Sequence, residues 1–208
     1  MSDGLDSLSP PQALIEAARN FHQRGWMAGT AGNLSIRTGD NCWITASGRP
    51  KGYLGERDLL QVAVATGQVV KQHQPQDKPS AETAIHLALY RLFPQIQAVF
   101  HVHTVESCLA ANAVPTEALA LPLPPLEMIK GLGVWEEHPQ VALPLFANYL
   151  DISRIAEAMV TRFNQQLPVL PGLMIRNHGT TVWGDSPQQT YNRLEALEFI
   201  LSYLARSQ

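Results

Sequence analysis

Two apolar hairpin patterns constrain what this 208-residue chain can fold into. In the first, LLQVAVA at 59–65 and QVVK at 68–71 flank the turn dipeptide TG. In the second, GLMIRN at 172–177 is followed by TTVWG at 180–184. Apolar, β-branched runs that are separated by a few turn residues pair as antiparallel strands. The sequence therefore predicts a sheet that has antiparallel neighbours in at least two places.

Helical patterns alternate with these strands. Ser9 can cap a first helix, Pro10 suits its first turn, and Gln12 completes a capping box. Further strands are predicted at NLSIR, CWITA and AVFHVHT. Further helices are predicted from Ser80 to the residues before Pro94, over 151–165, and from Ser186 through Leu204.

Helices that flank a sheet with several hairpins define an α/β domain with a mixed or mainly antiparallel sheet. The proline-rich stretch 119–126, LALPLPPL, cannot be a central strand of that sheet. We expect a single domain over residues 1–208, with a flexible N-terminus at residues 1–8.

Composition narrows the class of protein. Hydrophobic residues make up 45% of the chain and charged residues 16%, and the net charge is −3. These values indicate a globular protein. The sequence has no cluster of basic residues that could follow a phosphate backbone, which disfavours a nucleic-acid partner. The sequence lacks the apolar run of about 18 residues that a membrane span needs, and its first residues do not resemble a signal peptide. With only two cysteines, we expect a cytoplasmic protein without a disulfide framework.

The stretch 98–104, AVFHVHT, places two imidazoles two residues apart in a strand. Residues i and i+2 of a strand share a face, so His101 and His103 point the same way. This pair is half of a metal site, or else two histidines with ordinary hydrogen bonds. His178 lies at the end of a predicted strand, beside a glycine turn, and can supply a third ligand. Three neutral imidazoles with an open fourth position favour a catalytic zinc.

Three segments rich in small residues are candidates for an anion cradle. They are GTAGNLS at 29–35, TASGRPKG at 45–52 and PSAE at 79–82. Backbone N–H groups and hydroxyls at strand ends can converge on a phosphate, and Ser80 lies at a helix N-terminus that favours an anion. Taken singly, each segment is more typical of an ordinary turn or helix cap than of a phosphate site.

Two carboxylates are candidates for acid–base work. Glu82 lies in the first turn of a predicted helix, where it could also simply compensate the helix dipole. Glu127 follows the proline-rich stretch in PLEMIKG, where it could also be a solvated loop acid.

These motifs together resemble a known family. GTAGNLS, TASG, PSAET, HVHT and RNHGTTVWG occur in the order found in the class II sugar-phosphate aldolase and adducin-head family, over about residues 10–205. The EMIKG segment is similar to the dehydratase branch of that family, which acts on 5-methylthioribulose 1-phosphate in methionine salvage. The resemblance implies a three-layer α/β/α domain around a mainly antiparallel sheet. It also implies a homotetramer whose active sites lie between subunits.

The resemblance assigns roles to particular residues. His101, His103 and His178 match the family's zinc ligands, with one ion per subunit. Glu127 matches the acid/base of the dehydratases, and Glu82 matches the acid/base of the aldolases. The positions that match contacts to the substrate phosphate are Gly32, Asn33, Thr45, Ser47 and Ser80.

The resulting hypothesis is a zinc-dependent lyase with a small sugar phosphate as its substrate. It would convert 5-methylthioribulose 1-phosphate to 2,3-diketo-5-methylthiopentyl 1-phosphate. One alternative is a zinc aldolase or 4-epimerase that uses Glu82 as its base. No equivalent of the aldolases' catalytic tyrosine can be placed, which disfavours aldol cleavage. The other alternative is a non-catalytic adducin-head-like binding module, which would have no need of three ligand histidines.

Overall fold

The structure is a computed structural model that describes residues 4–207, in which one sheet is covered by α-helices. The strands are β1 (Asn33–Thr38), β2 (Asn41–Thr45), β3 (Leu59–Ala63), β4 (Val69–Lys71), β5 (Ala98–Val102), β6 (Ala120–Pro122), β7 (Ala142–Phe146), β8 (Gly172–Ile175) and β9 (Gly179–Gly184). The α-helices are α1 (Pro10–Gln23), α2 (Thr83–Leu92), α3 (Val105–Asn112), α4 (Ile152–Gln165) and α5 (Pro187–Arg206).

All nine strands belong to one sheet, in the order β4-β3-β2-β1-β5-β9-β8-β7-β6. Every neighbouring pair is antiparallel except β7 and β8, which are parallel. The predicted mixed, mainly antiparallel sheet is therefore confirmed. The two hairpin patterns form β3–β4 and β8–β9, as the sequence indicates.

The two faces of the sheet bury separate apolar clusters, because alternate side chains of a strand point to opposite faces. Helices α1, α3 and α5 cover one face and α2 and α4 the other, which gives three layers. The first cluster includes Leu14, Leu34, Phe100, Ala110, Val182 and Leu197. The second includes Val62, Leu89, Val99, Met159 and Trp183.

Two elements lie where the sequence patterns predict none. Helix α3 begins directly after Thr104, whose hydroxyl accepts a hydrogen bond from the backbone N–H of Ser107 at 3.0 Å. With eight residues it is too short to display a clear helical period. Strand β7 contains Pro144, which usually argues against a strand. It nevertheless pairs with β6 on one side and β8 on the other.

The proline-rich stretch behaves as the sequence predicts. Its only strand in the described chain, β6, has three residues and forms an edge of the sheet. Proline lacks a backbone donor, so it is tolerated at an edge.

The sequence predicts a flexible segment at residues 1–8, but part of this segment is ordered and packed against the domain. Residues 1–3 lie outside the described residues, but Gly4–Ser7 form a 3-10 helix whose Leu5 is buried. The carboxylate of Asp6 accepts hydrogen bonds from the Ser186 hydroxyl at 2.8 Å and from the Gln188 backbone N–H at 2.9 Å. These contacts fasten the segment to the start of α5. No helix within residues 4–207 combines the length and apolar character needed to cross a membrane.

The close approach of β9 to β5 depends on Gly179. A Cβ atom added at this position would collide with the carbonyl group of Val102 and lie 3.2 Å from Cε1 of His101. Only glycine lets the start of β9 lie this close to its neighbour. The same contact places His178, the preceding residue, beside His101.

Gly179→Ala is therefore expected to destabilise the fold by about 1–3 kcal/mol, because two packed strands must separate. Gly55→Ala is the matched control, since its added Cβ would have its nearest neighbour at 3.9 Å. We expect this control to stay within about 0.5 kcal/mol of wild type. Urea unfolding measures both, and equal midpoints for the two variants would contradict the packing argument.

Candidate metal and catalytic site

Strand β5 and the residue that follows it place two of the site's histidines on one side, as the strand alternation predicts. His101 is buried, and its Nε2 lies 2.9 Å from Nε2 of His103. His103 follows the last residue of β5, and its backbone N–H donates to the carbonyl of Trp26 at 3.0 Å. The main chain at the end of β5 is therefore held by the segment that follows α1.

The turn between β8 and β9 supplies the third histidine. Asn177 has a positive φ of 52°, and the backbone N–H of His178 donates to the carbonyl of Ile175 at 3.2 Å. This tight turn directs the ring of His178 towards β5. The centroids of the three imidazole rings are 4.5–5.2 Å apart, so the predicted ligand set does come together.

Glu82, at the start of α2, completes the cluster. One carboxylate oxygen, Oε1, lies 2.6 Å from Nε2 of His178 and 3.8 Å from Nε2 of His103. The other, Oε2, lies 3.3 Å from Nε2 of His101. Candidate ligand atoms of the four residues all lie within 4.8 Å of one another. The three candidate ligand histidines and the predicted aldolase-type carboxylate thus lie together.

The electrostatics of the cluster favour neutral imidazoles at His101 and His103 beside an ionised carboxylate. Burial lowers the pKa of His101 to about 4 and that of His103 to about 3. Burial alone would raise the pKa of Glu82, but His101 and His178 oppose it, and that pKa lies well below its usual range. Metal ions bind histidine in its neutral form and carboxylates in their ionised form.

The hydrogen bonds of the ring nitrogens that face away from the cluster show whether these histidines are oriented as metal ligands would be. Nδ1 of His101 faces the Thr181 hydroxyl at 2.9 Å, and Nδ1 of His178 faces Oδ1 of Asn148 at 3.1 Å. A proton on Nδ1 of His178 would be donated to this amide oxygen, and Nε2, which faces Oε1 of Glu82 at 2.6 Å, would then be available to bind a metal ion. Partners of this kind orient ligand histidines in metal sites. Nitrogen and carboxylate donors in this arrangement fit a zinc-like divalent ion.

The three predicted cradle segments also lie together. The backbone N–H of Ser80 donates to the carbonyl of Thr45 at 3.3 Å, and that of Ser47 donates to the carbonyl of Lys78 at 2.9 Å. Gly32 has a φ of +76°, which a side chain would rarely adopt. These contacts join the segments 45–52 and 79–82 at the start of α2.

Two of the predicted phosphate residues use their side chains elsewhere. Asn33 bonds to Glu82 through its amide nitrogen, and its Oδ1 lies 2.6 Å from Nε2 of His86. The hydroxyl of Thr45 accepts from the backbone N–H of Leu34 at 3.3 Å. Both side chains are buried, so they shape the strands beside the cradle.

Sequence reasoning missed Lys51, which is only 2% exposed. Its Nζ donates to the carbonyls of Thr30 and Arg49 at 2.8 and 2.9 Å, and so ties the segment 29–35 to the segment 45–52. Burial lowers its pKa to about 8, against opposing effects of Glu82 and Asp58. Lysine is rarely buried, so nothing in the sequence singled it out.

Glu127 lies apart from the cluster within one chain. It begins a 3-10 helix, Glu127–Leu132, and its carboxylate pairs with Nζ of Lys130 at 2.7 Å. Its side chain is 82% exposed. The group of converging ligands found in residues 4–207 contains Glu82 and the three histidines, without Glu127.

The fold and this site agree with the similarity of the chain to known proteins. Residues 12–204 match the family model described as the class II aldolase and adducin N-terminal domain. The chain therefore belongs to that family. A solved structure of YgbL from Escherichia coli aligns with a TM-score of 0.77 and 30% identity, covering 96% of this chain and 88% of that one.

Two curated relatives share a more specific name, methylthioribulose-1-phosphate dehydratase. The relative from Microcystis aeruginosa is 50% identical over 196 residues, which is 94% of each chain. The relative from Leptospira biflexa (strain Patoc 1 / Ames) is 40% identical over 208 residues, covering 97% of this chain and 99% of its own.

Proposed function

We propose that this protein is a hydro-lyase that converts 5-methylthioribulose 1-phosphate to 2,3-diketo-5-methylthiopentyl 1-phosphate. The observation that carries the proposal is 50% identity to a dehydratase of that name over 94% of both chains. The cluster of three histidines and Glu82 supports it, since a binding module has no need of such a site. The reaction would belong to methionine salvage, and a cytoplasmic location remains a prediction from composition.

We propose one zinc ion per chain, held by His101, His103 and His178. When bound, zinc supplies positive charge that stabilises negative charge developing on substrate oxygens. The neutral imidazoles of His101 and His103 support this assignment. The phosphate would lie at the cradle, against Ser47, Ser80 and the backbone around Gly32. Asn33 and Thr45 would stabilise the strands from which the cradle extends.

Dehydration requires that a proton leave C3 and that the departing C4 hydroxyl gain one, with the carbon chain intact. Glu127 is our candidate for this proton transfer. Glu82 is a buried, ionised carboxylate within the cluster, where it can orient the histidines and accept hydrogen bonds from substrate hydroxyls. The cradle fixes the phosphate end, so it determines which carbons face the acid–base groups.

Glu127 could reach a metal cluster on a neighbouring copy of the chain. Its carboxylate is exposed and lies outside its own chain's cluster, which supports an active site shared between subunits. Each site would then combine the histidines of one chain with Glu127 of another, within a homotetramer.

The metal assignment predicts that His103→Ala loses most bound zinc, because it removes one of three ligands. His73→Ala is the control, since His73 is exposed and distant in sequence from the ligands. Metal analysis of purified protein should give about one ion per chain for wild type and for the control. Equal zinc content in His103→Ala and wild type would rule out this site.

The shared site predicts complementation between two inactive variants. Glu127→Gln and His103→Ala should each lower the dehydration rate by about 10²–10⁴-fold. Randomly mixed oligomers pair an intact cluster with an intact Glu127 at about a quarter of their sites, so activity should return. A mixture of His101→Ala and His103→Ala is the control that should stay inactive. No recovery in the first mixture would place Glu127 and the histidines of a site in one chain.

The reaction itself predicts a product of unchanged carbon count. With substrate deuterated at C3, the label should wash into solvent, because the C3 proton is removed during dehydration. Mass spectrometry of the products measures both outcomes. Dihydroxyacetone phosphate together with a shortened methylthio aldehyde would instead establish aldol cleavage, with Glu82 as the base.

A further inference from the structure

A row of buried side chains leads from Glu82 into the interior, away from the histidine ligands. The amide nitrogen of Asn33 bonds to Oε2 of Glu82, and Nε2 of His86 lies 2.6 Å from Oδ1 of Asn33. The Ser35 hydroxyl lies 2.7 Å from Nδ1 of His86 and 2.8 Å from the hydroxyl of Tyr90. His86, Ser35, Tyr90 and Asn33 are all at most 2% exposed.

Two regular elements create this row. Glu82, His86 and Tyr90 are spaced by four residues, so they lie along one face at the start and body of α2. Asn33 and Ser35 are two residues apart in β1, so they share the face that α2 covers. The row therefore follows the contact between a helix and a strand.

The chemistry of each group fixes the direction of every hydrogen bond. The ionised carboxylate of Glu82 only accepts, so the amide of Asn33 must donate to it. Oδ1 of Asn33 then needs a donor, which assigns the proton of His86 to Nε2. Burial keeps His86 neutral, with its pKa lowered to about 4, so Nδ1 accepts from the Ser35 hydroxyl. The Ser35 oxygen in turn accepts from Tyr90.

The row of hydrogen bonds depends on the orientation of the Asn33 amide. An asparagine amide can rotate by half a turn and exchange its nitrogen for its oxygen. In that orientation Oδ1 would face the carboxylate of Glu82, and two acceptors would be in contact. The Nε2 proton of His86 disfavours the exchange, because it would then face the amide nitrogen.

We propose that His86 is a positioning residue, which fixes the Asn33 amide so that it holds Oε2 of Glu82 and leaves Oε1 towards the metal ligands. Its effect on turnover rests on the proposed function. Its effect on the side chains does not depend on that function, because all contacts lie within the protein.

Two amide substitutions of His86 separate positioning from space filling, because their nitrogen atoms reach different places. In His86→Gln, the amide nitrogen lies near the former Nε2 and can still donate to Asn33. In His86→Asn, the shorter side chain reaches only the former position of Nδ1, beside Ser35. Both remove the ring, so a residue that only fills space predicts losses of melting temperature without a selective loss of kcat. Tyr90→Phe removes the far end of the row and leaves the contact between His86 and Asn33 intact.

Steady-state kinetics, zinc content and thermal melting of the three variants provide the test. We expect His86→Asn to lower kcat about 10- to 100-fold, with KM and zinc content close to wild type. His86→Gln should retain most of kcat, and Tyr90→Phe should lower the melting temperature with little change in kcat. Equal kcat values for the Gln and Asn variants would overturn the proposal.

A second measurement on the wild-type protein does not use activity. Nuclear magnetic resonance of isotope-labelled histidine distinguishes the two neutral tautomers of His86. We expect the Nε2–H tautomer at neutral pH, with and without added zinc. The Nδ1–H tautomer would overturn the proposal even if both variants failed to fold. If the tautomer is as expected and no dehydration is found, the proposed function fails while the positioning role remains.

Discussion

The buried carboxylate of Glu82 is the interaction on which the rest of this site depends. Taking an ionised carboxylate out of water is costly unless it is paired and hydrogen-bonded. Here Asn33 bonds to one oxygen and His178 to the other, at the start of α2. These two partners come from β1 and from the turn before β9, so the charge can be accommodated only when separate parts of the sheet have assembled around it.

The order of the strands explains how distant residues meet. Strand β5 lies between β1 and β9, so Asn33 and the turn at His178 approach its histidines from opposite sides. The glycine that opens β9 permits the closest of these approaches. Helix α2 then covers the same face and brings Glu82 into the cluster. The cluster therefore depends on the register of the strand pairs and on the position at which α2 begins.

The sequence predicts those features of the fold and of the site that are determined by residues close together in the chain. The common face of His101 and His103 follows from the two-residue repeat of strands, and the hairpins follow from apolar runs that flank turn residues. The edge position of the proline-rich stretch follows from the backbone donor that proline lacks. The burial of Lys51 and His86 cannot be predicted in this way, because it depends on which loop or strand packs against them. The sequence does not predict strand β7, because Pro144 argues against a strand and because the pairing partners of β7 are not recognisable from its own residues. The side chain of Asn33 was expected at a phosphate, but tertiary contacts direct it to Glu82 and His86.

The two edges of the sheet affect how copies of the chain can associate. Strands β4 and β6 each have three residues; a register shift interrupts the pairing of β4 with β3, and β6 ends in a proline. Short or irregular edges and prolines discourage a further strand from adding to a sheet. Growth by strand addition, which would lead to open-ended fibres, is therefore disfavoured at both edges of the sheet. Association between copies would then have to rely on helices and loops, and the exposed side chain of Glu127 lies on one such short helix.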